Sequence, residues 1–214
     1  MTKLALLTGG SGSIGGATAA LLRERGWTVE APARTRLNML LGPVVVIHDS
    51  IAQIGDELLG ALIFCHGEWF SRDSQGLTDW KRQYASRVVT PARMIDALLP
   101  QLVGGCVIMV ASTQAFGGRY QTGPYGAACA GQVRLMQGLA QGRPATRFNI
   151  VAPGLTAGRM AALVRASGDC RPDAVPQDPA AVAAAIVGLV EGDETEQVLR
   201  VVDGKVTRAR WVWE

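Results

Sequence analysis

The stretch Thr8–Gly15, reading TGGSGSIG, constrains what this chain can fold into more than any other. It follows an apolar run, Leu4 to Leu7, and opens a segment with apolar or small residues at Ile14, Ala17, Thr18, Leu21 and Leu22. That spacing puts these five on one helical face. Strand, glycine-rich turn and helix in this order make the setting that a dinucleotide pyrophosphate requires. Glycines let the backbone approach the phosphates, and the helix N-terminus offers unpaired N–H groups and a partial positive charge. A glycine-rich octet alone is a weak signal; its place between a strand and a helix gives it weight.

The same alternation continues along the chain. Gly26 closes the first helix, and Trp27 to Ala31 reads as a strand. Ala61 to Cys65, Cys106 to Ala111 and Phe148 to Val151 are further apolar strands, and Gln197 to Val202 reads as the last. Helical patterns run from Trp80 through Tyr84, Val88, Ala92 and Ile95 to Leu99, from Pro124 through Val133, Met136 and Leu139, and from Asp178-Pro179 to about Val190. Leu40 to Ile54 is ambiguous: Val44 to Ile47 has strand propensity, yet the spacing also accommodates a helix. The expected fold is α/β, a single doubly wound parallel sheet of Rossmann-like type, with residues 1–214 as one domain.

Composition excludes several classes. A chain with 48% hydrophobic and 18% charged residues is not disordered, and a net charge of +3 does not suggest nucleic-acid binding. No apolar run approaches membrane-spanning length, and a first strand starting by Lys3 leaves no room for a signal peptide. Cys65, Cys106, Cys129 and Cys170 lack metal-type pair spacing, and two histidines argue against a zinc site. The cysteines read as buried thiols in a reducing compartment, so a soluble cytoplasmic domain is expected, with no metal and no nucleic-acid or membrane partner.

The strand ending at Pro32-Ala33-Arg34 is where a dinucleotide fold places the adenosine ribose. An acid there would bind a 2′-hydroxyl, a base a 2′-phosphate. Arg34, with Arg36 close behind, favours NADP(H) over NAD(H); the competing reading is a solvated surface arginine.

On these residues the chain resembles the short-chain dehydrogenase/reductase family from end to end. Thr8–Gly15 is similar to that family's TGxxxGxG turn with glycine and serine exchanged at positions 12 and 13. Arg34 matches its NADP-selecting arginine, and Phe64-Cys65-His66-Gly67 stands where the family has NNAG. Ser112 precedes Tyr125 by the spacing of the family's catalytic serine and tyrosine. Arg147–Gly154 is close to RVNxVxPG, and Gln197–Gly204 resembles the closing strand. The resemblance implies Tyr125 as proton donor and Ser112 as substrate anchor in the reduction of a small carbonyl compound. It implies a cofactor site of Gly9, Ser11, Gly12, Ser13, Ile14, Gly15, Arg34, Asn38 (for adenine, with Asp49 less well spaced), His66, Gly67, Tyr125, Pro153, Gly154 and Thr156. Of these, His66 reads more readily as a structural substitution than as a ligand.

The chemistry half of the pattern departs. YxxxK reads Tyr125-Gly-Ala-Ala-Cys129, and the position of the active-site asparagine holds Arg87. Four residues apart on a helix, Cys129 should lie beside Tyr125, but a neutral thiol cannot lower the tyrosine pKa as an ammonium does. Two readings of Arg87 stand: a compensating cation that leans toward Tyr125, or a residue left at a solvated position once selection relaxed. Pro91 has no N–H for the carbonyl of residue 87, four positions earlier. An unassisted phenol is protonated near neutral pH, so losing the lysine should hurt alcohol oxidation more than carbonyl reduction. The alternative to an enzyme is a degenerate relative that binds NADP(H) as a partner or regulatory subunit, or that uses the pocket for non-redox chemistry. Arg159, Arg165 and Arg171 fall where the family has its substrate lid and suit an anionic substrate, or are simply solvated; the family's usual threonine in that loop is Gly158. Trp211 and Trp213 share one face of an extended tail and suggest a contact in a homodimer or homotetramer.

Overall fold

The computed structural model describes residues 2–32, 57–67, 76–117 and 123–209. Arg34, Asn38, Asp49 and the ambiguous Val44–Ile47 stretch lie outside the described residues, as do Trp211 and Trp213.

In chain order the elements are β1 (Leu4–Thr8), α1 (Ser13–Glu24), β2 (Thr28–Glu30), β3 (Ala61–Phe64), α2 (Leu77–Tyr84), a π-helical segment (Ala85–Val89) and α3 (Thr90–Leu98). There follow β4 (Cys106–Val110), α4 (Gly123–Gly142), β5 (Arg147–Pro153), α5 (Arg159–Ala166), α6 (Pro179–Glu191), β6 (Val198–Val202) and β7 (Lys205–Ala209). The strands form one sheet in the order β2-β1-β3-β4-β5-β6-β7, and every pair from β2 to β6 is parallel.

β1, β3 and β4 are apolar runs buried at every position because helices cover both faces. Successive residues serve opposite faces. Leu6, Leu62, Phe64, Val107 and Met109 pack with Met94, Ile95 and Leu98 of α3 and Val133 and Met136 of α4. Ala5, Leu7, Ala61, Ile63 and Ile108 pack with Ala19 and Leu22 of α1 and Val182, Ile186 and Val190 of α6. Each large side chain so buried contributes about 1.5–3 kcal/mol. Asp178 starts α6 as the sequence suggests, its carboxylate accepting from the Ala180 N–H at 2.8 Å.

Two expectations need correcting. The Rossmann-like α/β sheet is as expected, but Gln197–Val202 is not its last strand: β7 follows and runs antiparallel along β6, from Val198↔Ala209 to Val202↔Lys205. Asp203 and Gly204 between them have φ of 51° and 74°, the left-handed pair that a two-residue hairpin turn needs. The cysteines are all free, but only Cys106 and Cys129 are buried; Cys65 and Cys170 are partly exposed.

β1 has β2 on one side and β3 on the other, so the strand order reverses there and opens a crevice at the carboxyl ends. The turns leaving β1, β3, β4 and β5 carry Gly9–Gly15, Cys65–Gly67, Ser112 and Gly154–Thr156. Parallel pairing therefore brings these segments to one edge of the sheet. Among the described residues no helix is long and apolar enough to cross a membrane.

Candidate functional site

Gly9 has a φ of 79°, and a Cβ there would fall 2.7 Å from the Cys65 carbonyl carbon and the His66 nitrogen. A Cβ on Gly15 would fall 2.8 Å from the Gly9 carbonyl carbon. Both glycines are thus demanded by the way the turn folds over the end of β3. Ser11, Gly12 and Ser13 are exposed, Ile14 is partly buried against the core on the α1 side, and Gly12, the residue before α1, gives the helix no side-chain cap. An exposed turn leading into an uncapped helix N-terminus fits the pyrophosphate of a dinucleotide. Gly158, the residue before α5, rests on this turn: its φ is 141°, and a Cβ would lie 2.9 Å from the Ser13 Cβ.

At the end of β3, His66 has both ring nitrogens on protein partners. Nδ1 lies 2.6 Å from the Thr8 Oγ1, and Nε2 lies 2.8 Å from the Ser86 carbonyl. Gly67 next to it has no side chain because the Arg87 guanidinium fills that space; a Cβ would fall 2.7 Å from its Cζ. Arg87 is only 3% exposed, which excludes the solvated position that was one of its two readings. Its Nε donates to Gln83 Oε1 at 3.1 Å, and its Cζ lies 4.4 Å from the centroid of the Tyr125 ring. This is a cation–π arrangement in a desolvated setting.

Ser112 follows β4 in extended conformation, and its hydroxyl accepts from the Gln114 N–H at 3.2 Å. Tyr125 and Cys129 lie one turn apart on α4, both buried, and Ser112 and Cys129 each hydrogen-bond the tyrosine side chain. Burial is the largest influence on Tyr125 and, with Cys129 beside it, pushes its pKa up to about 12. Arg87 and Ser112 pull the other way and do not offset it. The Cys129 thiol is itself raised, by burial first, against the pull of Arg87. The site therefore holds a neutral phenol and a neutral thiol.

Beyond β5, the Gly154 N–H bonds the Val201 carbonyl at 2.8 Å. The Thr156 hydroxyl donates to Gly154 O at 3.1 Å and accepts from Gln177 Nε2 at 3.2 Å, so it is engaged within its own loop. Arg159, Arg165 and Arg171 are exposed, and Arg165 and Arg171 line a cavity of about 570 Å³ with Gly168, Cys170 and Pro172. Gln83 and Gln177 were not singled out by sequence. Gln83 was findable as the residue one helical turn before Arg87, whereas nothing local marks Gln177.

Residues 68–168 match the family model described as short chain dehydrogenase. No curated protein matches the chain. Similar solved structures include a short chain dehydrogenase/reductase family protein, 22% identical over 94% of this chain and 96% of that one, with a TM-score of 0.80. ElxO with NADP bound is 19% identical over 95% and 98%, with a TM-score of 0.78. The 3-alpha-hydroxysteroid dehydrogenase from Pseudomonas sp. B-0831, complexed with NADH, is 19% identical over 94% and 96%, with a TM-score of 0.77.

Proposed function

We propose that the chain is an oxidoreductase of the short-chain dehydrogenase family, whose model residues 68–168 match, and that it binds NADP(H) and reduces a carbonyl group on a small substrate. The observation that carries this reading is the buried Ser112–Tyr125 pair on the sheet edge that also bears the glycine-rich turn. NADPH, when bound, supplies the hydride. Ser112, whose oxygen already accepts from Gln114, keeps its own proton to donate to the substrate oxygen. Tyr125, protonated at neutral pH, is in the form that gives a proton to the nascent alkoxide, a role worth typically about 10²–10⁴-fold. Gly9–Gly15 would hold the pyrophosphate, with Gly67, Pro153, Gly154 and Thr156 along the same edge. Arg34 supports NADP(H); among the similar structures one carries NADP and another NADH. Arg165 and Arg171 beside their cavity, the first bonded to the Ala174 carbonyl and the second paired with Asp173, support an anionic substrate, and four free cysteines support a reducing, cytoplasmic setting.

Fluorescence titration with NADPH and NADH on the wild type and Arg34→Ala tests the cofactor. Tighter binding of NADPH, lost in the variant, is expected; no binding of either nucleotide overturns the reading. Transfer of an isotope label from NADPH to product then tests the chemistry. Cys129 in the lysine position favours a second reading, a nucleotide-binding partner subunit or a non-redox catalyst, and binding without label transfer would select it.

A further inference from the structure

The helix that carries Arg87 changes register just before it. The Thr90 N–H bonds the carbonyl of Ala85, five residues back, with the Thr90 hydroxyl on the same oxygen at 2.7 Å. In that register the next bond would run from residue 91 to the Ser86 carbonyl. Residue 91 is proline and has no N–H to give. The Ser86 carbonyl instead meets the His66 Nε2 at 2.8 Å. A carbonyl only accepts, so Nε2 carries the proton; in the neutral ring Nδ1 is then an acceptor, and the Thr8 hydroxyl gives its one proton to it across 2.6 Å in preference to the Ile63 carbonyl, which it reaches only at 3.4 Å. Thr8 is the last residue of β1 and the first of the glycine-rich stretch. One imidazole thus ties the start of that stretch to the π segment. The next residue of the segment is Arg87, which lies between Gly67, the neighbour of His66, and the face of Tyr125. π segments of one turn recur at functional sites, and this one has an identifiable sequence cause.

We propose that His66 is a positioning residue that stands in for the N–H missing at Pro91 and, by bridging Thr8 to the Ser86 carbonyl, holds Arg87 against the Tyr125 ring. It acts through Arg87 and does not touch the reacting atoms. The proposal rests on the site described above, but its test needs neither turnover nor a known substrate. The chain has three tyrosines, so a spectrum of protein labelled with ¹³Cζ-tyrosine shows three signals, and Tyr125→Phe identifies the one that matters. His66→Phe removes both bridges and should move the Tyr125 signal; His66→Gln, which keeps a donor and an acceptor, should return it toward the wild-type position. Thr8→Val removes one bridge and should move it less, in the same direction. In a Pro91→Ala background, where an N–H is restored to position 91, His66→Phe should shift the signal by about half as much or less, the mark of two groups serving one carbonyl. NADPH affinity, read by fluorescence, should fall roughly tenfold in His66→Phe, the loss of about one hydrogen bond. A Tyr125 signal unmoved in His66→Phe, or moved equally with and without Pro91, overturns the proposal. If His66→Phe does not fold, Thr8→Val and His66→Gln decide: a signal unmoved by Thr8→Val overturns it. Failure of the wild type to bind NADPH would overturn the cofactor reading and leave this comparison intact.

Discussion

A phenol as deeply buried as Tyr125 sits between opposing influences. Removal from water and the neighbouring Cys129 hold its proton on, while Arg87 over the ring and the Ser112 hydroxyl favour its loss. The first pair wins, and a pKa of about 12 leaves on the order of one phenolate in 10⁵ at pH 7. The sign follows: carbonyl reduction needs the protonated form, present throughout the neutral range, and alcohol oxidation needs the phenolate, whose share grows tenfold per pH unit below the pKa. Steady-state rates between pH 6 and 9.5 should therefore show reduction without a Tyr125 limb and oxidation rising about tenfold per unit. A reduction rate that falls with a midpoint near pH 7–8 would contradict this. Replacing Cys129 by lysine alone sets a second cation near Arg87, so Arg87→Asn with Cys129→Lys should raise oxidation more than either change by itself, by about 10²-fold or more over wild type, in the same assay. If reduction is absent in the wild type and appears in Cys129→Lys, Arg87 does not do the lysine's work.

At the scale of elements, the segment between β5 and α6 hangs from one side chain. Gln177 Nε2 donates to the Thr156 hydroxyl and to the Val201 carbonyl at 2.8 Å, and its Oε1 accepts from the Gly204 N–H at 3.1 Å. Its backbone bonds Leu155 and Ala157, both at 2.9 Å. Gln177 thus joins both ends of the segment carrying α5 to β6 and to the β6–β7 turn. Gln177→Ala should cost about 1–3 kcal/mol and speed tryptic cleavage at Arg159, Arg165 and Arg171 well before global unfolding. Cleavage no faster than in wild type would mean the segment is held elsewhere. Such a hub is invisible in a sequence because its partners lie up to 27 residues away. What was legible followed local physics: the apolar runs of β1, β3 and β4, the turn between β1 and α1, the Asp178 cap, and the four-residue step from Tyr125 to Cys129. Arg87 was placed by its position in the helix, but burial against Gly67 and Tyr125 depends on three separate segments meeting. Asp203-Gly204 has the residue types of a two-residue hairpin turn, but the apolar pattern that marks the inner strands stops at Val202, and the exposed β7 carries none.

For the molecule as a whole, β7 changes which backbone faces solvent. Without it, β6 would end the sheet as an edge whose Val198, Leu199 and Val201 are now buried. β7 covers that ladder with Lys205, Val206, Thr207 and Arg208, all exposed, and Arg208 reaches back to Gln197 and Glu194. Charged side chains on an outer strand discourage pairing with another chain. The sequence beyond it argues the other way, since its two tryptophans, Trp211 and Trp213, are the kind of large aromatics that contacts between copies bury. Two truncations separate these forces. Ending the chain after Ala209 keeps β7 and removes the tryptophans; if the tail joins copies of the chain, size exclusion should show a smaller species with a melting temperature set only by the lost contact. Ending it after Asp203 removes β7 as well and bares the β6 edge, so larger, time-dependent aggregates and a lower melting temperature should follow. A chain ended after Ala209 that elutes like the full-length protein would show that the tail does not join copies, and an unaggregated chain ended after Asp203 would show that β7 is not what protects the edge.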